Sequence, residues 1–244
     1  MKNSNIVSLI SLGEFFFKVI NLTEPLRMDV EVFPGNPQPK KETFRTYKEN
    51  YSRYHIYSIG DHIFHPHGDA PKHMNEKLKN RGFEYWGPDY VFNKACMIDL
   101  SKHEDVIEEN GIRYLRNISK IHLIPYIDRI KNMGAIVIRT GYDKIVQKNQ
   151  KHARRKIPFF DKSAVDFLLK YSKCNVIGTD SMTIDGPGEK YAHKKFSEKL
   201  IVESIVNLSH IPKLNRFNFD LQTSPISIIG ATGGPVLAYA YIAV

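Results

Sequence analysis

The chain has 244 residues, 42% of them hydrophobic and 11% aromatic, enough apolar side chains to offset the entropy of ordering a sizeable core, which excludes intrinsic disorder. Thirty-five Lys and Arg against 26 Asp and Glu leave a net charge of +9. The excess is spread along the chain with one compact cluster, KHARRK at 151–156, and no interleaved aromatic platform, so nucleic-acid binding is not expected.

The longest early apolar stretch, IVSLISLGEFFFKVI, is broken by Gly13, Glu14 and Lys18. It falls short of the ~20 uninterrupted apolar residues of a membrane span. No small-residue cleavage site follows it, and a cytoplasmic location is expected. Cys96 and Cys174 have no C-x-x-C spacing and no neighbouring Cys, so they are read as reduced and buried, with no thiolate metal site.

In chain order, residues 1–18 read as an N-terminal extension that adds a helix or an oligomer contact, and 19–244 as one domain. VINL at 19–22 opens as a strand, and VEVF at 30–33 reads as a second short strand stopped by Pro34, Gly35, Asn36 and Pro37. Tyr51 to Ile59 alternates as a strand and delivers the chain into a histidine-rich loop. ISKIHLIPYIDRIKN carries apolar residues at helical intervals. GAIVIRTG is a glycine-bounded apolar run of the kind buried on both faces of a sheet.

SAVDFLLKYSKC predicts a helix with Ser163 as its N-cap, followed by a buried strand in NVIGTD. Strand, helix, strand indicates an α/β fold. A helix is predicted around 193–208, and PISIIGATGGPVLAYAYIAV reads as two β-rich runs joined by a glycine-containing turn. That turn lacks the G-K-[ST] ending of a phosphate loop and precedes a strand, so it is read as backbone geometry.

Half of the ten histidines, His55, His62, His65, His67 and His73, lie within 19 residues. HIFHPHGDAPKH places Asp69 two residues after His67 and His73 four after Asp69, with Pro66 and Pro71 stiffening the segment. Imidazole and carboxylate suit zinc, manganese or iron, and prolines reduce the entropy lost when a loop is fixed around an ion. No H-E-x-x-H occurs, so the loop alone leaves metal binding and a polar surface equally open.

The segment resembles the signature H-x-G-T-H-x-D-x-P-x-H of the cyclase family of metal-dependent hydrolases, which includes bacterial kynurenine formamidases and isatin hydrolases. HGDAPKH, His67 to His73, fits its second half without a gap. VINLTEPL, VFPGNP, IVIRTGYDK, VIGTDSMTID and GATGGPVLAYAYI resemble further family segments in the same order.

The resemblance implies a single-domain α/β fold of the β/β/α swivelling type with a mixed sheet, and a homodimer or dimer of dimers. It also implies a small-molecule substrate and one or two divalent ions, Zn or Mn. A divalent ion lowers the pKa of a bound water toward ~7 and polarises the carbonyl under attack. The implied reaction is hydrolysis of an amide, lactam or lactone, with a kynurenine-formamidase-like reaction as the specific expectation.

By the same resemblance His67 and Asp69 are ligands, His73 is the general acid and base, and His193 and Glu203 are late ligands. Glu198 is the fallback. On one unbroken helix His193 and Glu203 would point roughly 280° apart, so they converge only if His193 precedes the helix proper. Phe33 takes the place of an aromatic that packs on the substrate ring, which makes an aromatic substrate compatible.

The family's first His falls on Ile63, which binds no metal. One inserted residue restores His62, while His65, held extended by Pro66, would lie on the side of His67 and Asp69. The expectation is that one of the two is a ligand, with His62 favoured by its G-x-H context. Two rival functions remain on the sequence: a cyclase or dehydratase of a polyketide-like carbonyl substrate, and a non-catalytic binding protein that kept the fold.

Overall fold

A computed structural model of the chain describes residues 6–50, 52–149 and 154–244. The chain opens with the antiparallel hairpin β1 (Val7–Leu12) and β2 (Phe15–Asn21). A second hairpin follows, β3 (Lys40–Arg45) and β4 (Tyr54–Ser58), with the short α1 (Tyr47–Asn50) between its strands. The three-residue β5 (His67–Asp69) and the long β6 (Phe92–Asp99) come next.

A small ladder of β7 (Ile107–Glu109) and β8 (Ile112–Tyr114) leads to β9 (Asn117–Ile118), α2 (Lys120–Leu123) and α3 (Ile127–Ile130). The centre of the chain is β10 (Ala135–Arg139), α4 (Asp143–Gln147), β11 (Phe159–Phe160), α5 (Lys162–Tyr171) and β12 (Val176–Thr179). It closes with α6 (Tyr191–Phe196), β13 (Leu200–Glu203), β14 (Phe219–Pro225) and β15 (Gly233–Ala243).

Nine strands form one mixed sheet in the order β1-β2-β15-β14-β6-β10-β12-β13-β5, and β15 also pairs with β5. That pairing closes seven strands, β15 round to β5, into a barrel-like ring. β15 makes both joins: Gly233, Gly234 and Pro235 pair with β5, while Tyr239 to Ala243 pair with β2.

The two-residue period of the strands sorts side chains onto two cores. Ala95, Met97, Ala135, Val137, Val176, Leu200 and Val202 fill one face of the ring. Cys96, Ile98, Ile136, Ile138, Ile177 and Ile201 pack outward on the helices through Leu123, Ile130, Val165, Leu168 and Phe196. This double burial is why GAIVIRTG and NVIGTD read as continuous apolar runs.

Four expectations are corrected. Residues 7–18 form β1 and the start of β2 rather than a helix, because β-favouring Val, Ile and Phe residues flank a two-residue turn at Gly13 and Glu14, where Gly13 takes φ 62°. VEVF forms no strand; Val30 and Val32 instead pack with Ile63 in a small loop cluster. The N-cap of α5 is Asp161, whose carboxylate accepts from the Ala164 N–H at 3.0 Å. The helix predicted over 193–208 stops at Phe196, and the β-branched run after Lys199 is drawn into the sheet as β13, parallel to β12.

In the basic cluster, 151–153 lie outside the described residues, and Lys156 is ion-paired to Glu109 at 2.6 Å. Cys96 and Cys174 are buried and unbridged. No helix among the described residues is long and apolar enough to cross a membrane.

Candidate metal centre

The register of β5 assembles the site. Antiparallel pairing sets Glu203 at the end of β13 directly opposite His67, the spacing at which cross-strand side chains meet. Asp69 follows two residues on, on the same face as His67. Alternation puts Glu203 on the face of Ile201, where α6 packs and delivers His193. Strand geometry thus brings together residues that one continuous helix would have held apart.

Gly233 of β15 makes the approach of His62 possible. A Cβ there would lie within hard contact of the imidazole and of the Gly68 carbonyl. The Trp86 indole N–H donates to the Asp69 carbonyl oxygen at 2.8 Å and fixes the backbone behind the site.

Three imidazoles have their outer nitrogens committed. His67 Nδ1 donates to the Phe64 carbonyl oxygen at 3.1 Å, and His193 Nδ1 donates to Asp185 Oδ2 at 2.6 Å. His62 Nε2 lies 3.1 Å from Thr232 Oγ1, whose hydroxyl donates to Asp61 Oδ2 at 2.7 Å. Thr232 therefore accepts from His62, because its own hydrogen is spent on Asp61.

The inner nitrogens then face carboxylate oxygens. His62 Nδ1 is 3.2 Å from Asp69 Oδ1, and His67 Nε2 is 3.2 Å from Glu203 Oε2. His193 Nε2 is 3.1 Å from Asp69 Oδ2 and 3.3 Å from Glu203 Oε1. A neutral imidazole with its outer nitrogen protonated turns a lone pair toward those oxygens, a repulsive arrangement that a cation between them relieves.

Both oxygens of Asp69 and Oε1 of Glu203 are buried without a hydrogen-bond partner among the described residues. Adjacent atoms bound to one ion at about 2.0–2.1 Å lie roughly 2.8 Å (octahedral) to 3.4 Å (tetrahedral) from one another. The observed separations fall in that range, so these residues fit a divalent ion. They form two overlapping groups that share Asp69, one with His67 and Glu203 and one with His62 and His73.

The electrostatics show the same demand for positive charge. Burial alone would raise the Asp69 carboxyl, but His73, His193 and His62 hold it well below the usual range. Burial disfavours charge on His193 and His62, yet Asp185, Asp69 and Glu203 hold His193 well above its ordinary value, and Asp69 and Asp61 raise His62. His73 is the exception, since burial lowers it despite Asp69. Its ring lies 4.2 Å from that of His62 and 5.6 Å from that of His193.

Above the cluster is a cavity of about 200 Å³ whose apolar lining includes Phe33, Met74, Met182 and Pro187. The family model described as "Putative cyclase" matches residues 20–186. The chain belongs to the cyclase family.

Solved structures with similar folds include isatin hydrolase A from Labrenzia aggregata bound to benzyl benzoate, 18% identical, TM-score 0.75, covering 93% of this chain and 94% of that one. An isatin hydrolase bound to the product analogue thioisatinate is 17% identical, TM-score 0.76, with 93% of each chain covered. A potential metal-dependent hydrolase with cyclase activity is 20% identical, TM-score 0.68, covering 93% of this chain and 99% of that one. A search of the curated proteins finds no match.

This cyclase-family chain brings His62, His67, Asp69, His73, His193 and Glu203 into one cluster, with Phe33 on the cavity wall. His65 lies in neither carboxylate–imidazole group. Its carbonyl oxygen accepts from the Glu24 N–H at 2.6 Å. Ile63 is buried against Val30 and Val32, which anchors the turn that brings His62 inward. Glu198 is exposed and paired with Arg81 at 3.0 Å.

Reading the sequence missed Asp185, Thr232 and Asp61, which fix the outer nitrogens of His193 and His62. Asp185 closes the family-like segment VIGTDSMTID and was visible there as a carboxylate. Nothing in the sequence linked Thr232 to a histidine 170 positions away.

Proposed function

We propose that this protein is a metal-dependent hydrolase of an amide, lactam or lactone bond, its metal held by His62, His67, Asp69, His193 and Glu203. The observation that supports the reading is the set of inward imidazole nitrogens 3.1–3.3 Å from the oxygens of Asp69 and Glu203, three of which have no hydrogen-bond partner among the described residues. A divalent ion, Zn or Mn, one or two per chain, supplies Lewis acidity toward a carbonyl and a bound water acidic enough to ionise near neutrality.

The chain's own residues supply the rest. Asp185 holds His193 in one tautomer, and Thr232 with Asp61 does the same for His62. His73 is half-buried at the cavity wall, and burial lowers its proton affinity. It is thus neutral at pH 7, able to take a proton from the attacking water and return it to the leaving nitrogen or oxygen. Phe33, Met74 and Met182 give the scissile group an apolar wall that limits water.

An aromatic substrate fits that wall, and the amide cleaved by a kynurenine formamidase is the specific reading. The working form is a homodimer or dimer of dimers in the cytoplasm.

Metal-loaded protein assayed against formyl-kynurenine, isatin and simple lactones tests the reaction. Chelator-sensitive turnover of at least one is expected, and turnover of none would refute it. His73→Ala is expected to keep its metal and lose about 10²- to 10⁴-fold in kcat. Loss of metal along with activity would make His73 a ligand instead.

A further inference from the structure

The loop that leaves β5 and the first turn of α6 form two walls of a groove of about 740 Å³ beside the metal cluster. Asn75 on the loop donates to Ser197 Oγ, at the C-terminal end of α6, at 2.9 Å, which ties the loop to that helix. His73 and Met74 line both this groove and the cavity above the metal cluster, which makes the two spaces adjoin.

The groove is strongly cationic. Lys72, Lys77, Lys79, Lys190 and Lys194 line it, against one carboxylate, Glu76. Lys72 is committed to the Gly230 carbonyl oxygen at 2.5 Å. The remaining four are exposed, and no ion pair within 4.0 Å engages them among the described residues. The nearby Arg81, by contrast, is neutralised by Glu198. Like charges gathered in a concavity raise the local potential and concentrate anions there.

We propose that the substrate carries a phosphate-type group, which this groove binds while the scissile carbonyl lies over the metal cluster. The proposal rests on the hydrolase reading, adds the substrate's chemical class and departs from the kynurenine-formamidase reading, whose substrate carries no phosphate. Four uncommitted ammonium groups facing one carboxylate leave a surplus that a single carboxylate would not neutralise. A phosphate monoester carries about −1.5 to −2 at neutral pH. Lysines, as mobile point charges without the arginine fork, suit a phosphate of variable orientation.

The test compares three esters on metal-loaded protein: para-nitrophenyl hexanoate and the same ester carrying a terminal carboxylate or a terminal phosphonate. The phosphonate ester is expected to exceed the neutral one in kcat/KM by about tenfold or more, the carboxylate falling between, with the advantage shrinking as salt is added. The variant Lys77→Ala/Lys79→Ala/Lys190→Ala/Lys194→Ala is expected to abolish that advantage and leave the neutral ester unaffected. Removing four other exposed lysines, Lys40, Lys102, Lys173 and Lys213, is expected to preserve it, which separates the groove from net charge.

Chelator-sensitive turnover of the neutral ester without a phosphonate preference would overturn the proposal and leave the hydrolase reading standing. If no ester is turned over, the hydrolase reading is decided by the formyl-kynurenine, isatin and lactone assays. Calorimetric titration of the phosphonate acid then still decides the groove: about tenfold weaker binding to the groove variant supports it, and equal binding overturns it.

Discussion

Two clusters of buried carboxylates sit in the same sheet and differ in one respect. At the ends of β6, β10 and β12, Asp99, Asp143 and Asp180 surround Arg139. The guanidinium reaches Asp99 at 3.3 Å and Asp143 at 3.4 Å, Arg216 reaches Asp99 at 2.8 Å, and Asp180 accepts from the N–H groups of Thr140, Gly141 and Asp143 and from the Thr140 hydroxyl. None of their oxygens is buried without a partner among the described residues. Asp69 and Glu203 are also buried, but three of their four oxygens lack a hydrogen bond among the described residues and face imidazole nitrogens. Burial does not mark a functional carboxylate; lack of a donor does.

The sharpest way to break that contrast is to remove one acid from each cluster. Asp69→Asn is expected to reduce hydrolysis to background while the protein stays folded, because the lost charge has no guanidinium to leave unpaired. Asp180→Ala is expected to do the reverse. It strands three backbone N–H groups and a hydroxyl in the interior, a loss of about 3–5 kcal/mol in denaturant unfolding, while the metal content of the folded fraction is unchanged.

A smaller effect probes how the histidines are aimed. Asp185→Asn removes the carboxylate behind His193 and is expected to weaken metal affinity by about 10- to 100-fold, as loss of an outer partner does. Competition with a fluorescent chelator measures it, and unchanged affinity would show that Asp185 does not position the ligand.

The smallest expected effect is on stability against pH. Burial and the Asp143 carboxylate push Asp180 up to about 6, against its hydrogen bonds. A folded-state pKa above the unfolded value means the native state holds the proton longer, so stability falls as pH rises from about 4 to about 6. Unfolding of wild type and Asp180→Asn across that window is expected to show wild type losing stability relative to the variant. A difference independent of pH would show that Asp180 is ionised throughout.

The parts of the site legible in the sequence were those written locally. HGDAPKH lies on one short strand and the turn after it, so its gapless likeness to the family signature marked His67, Asp69 and His73 together. Ala135–Arg139 and Val176–Thr179 announced themselves as apolar runs between glycines and polar breaks because the sheet buries both of their faces. β13 was misread because a four-residue buried strand after a short helix has no period of its own to set against a continued helix. The placement of His62 depended on Ile63 packing against Val30 and Val32 and on Thr232 and Gly233 arriving from the last strand. Those contacts are made by tertiary packing, which no local pattern encodes.

The most direct measurement is elemental analysis of purified wild type, Asp69→Asn and Asp180→Asn after identical supplementation with zinc or manganese. One or two divalent ions per chain are expected in wild type and in Asp180→Asn, and essentially none in Asp69→Asn at an unchanged circular dichroism spectrum. Wild type that stays empty, or Asp69→Asn that fills as wild type does, would contradict the assignment of Asp69 and its facing histidines as the metal centre.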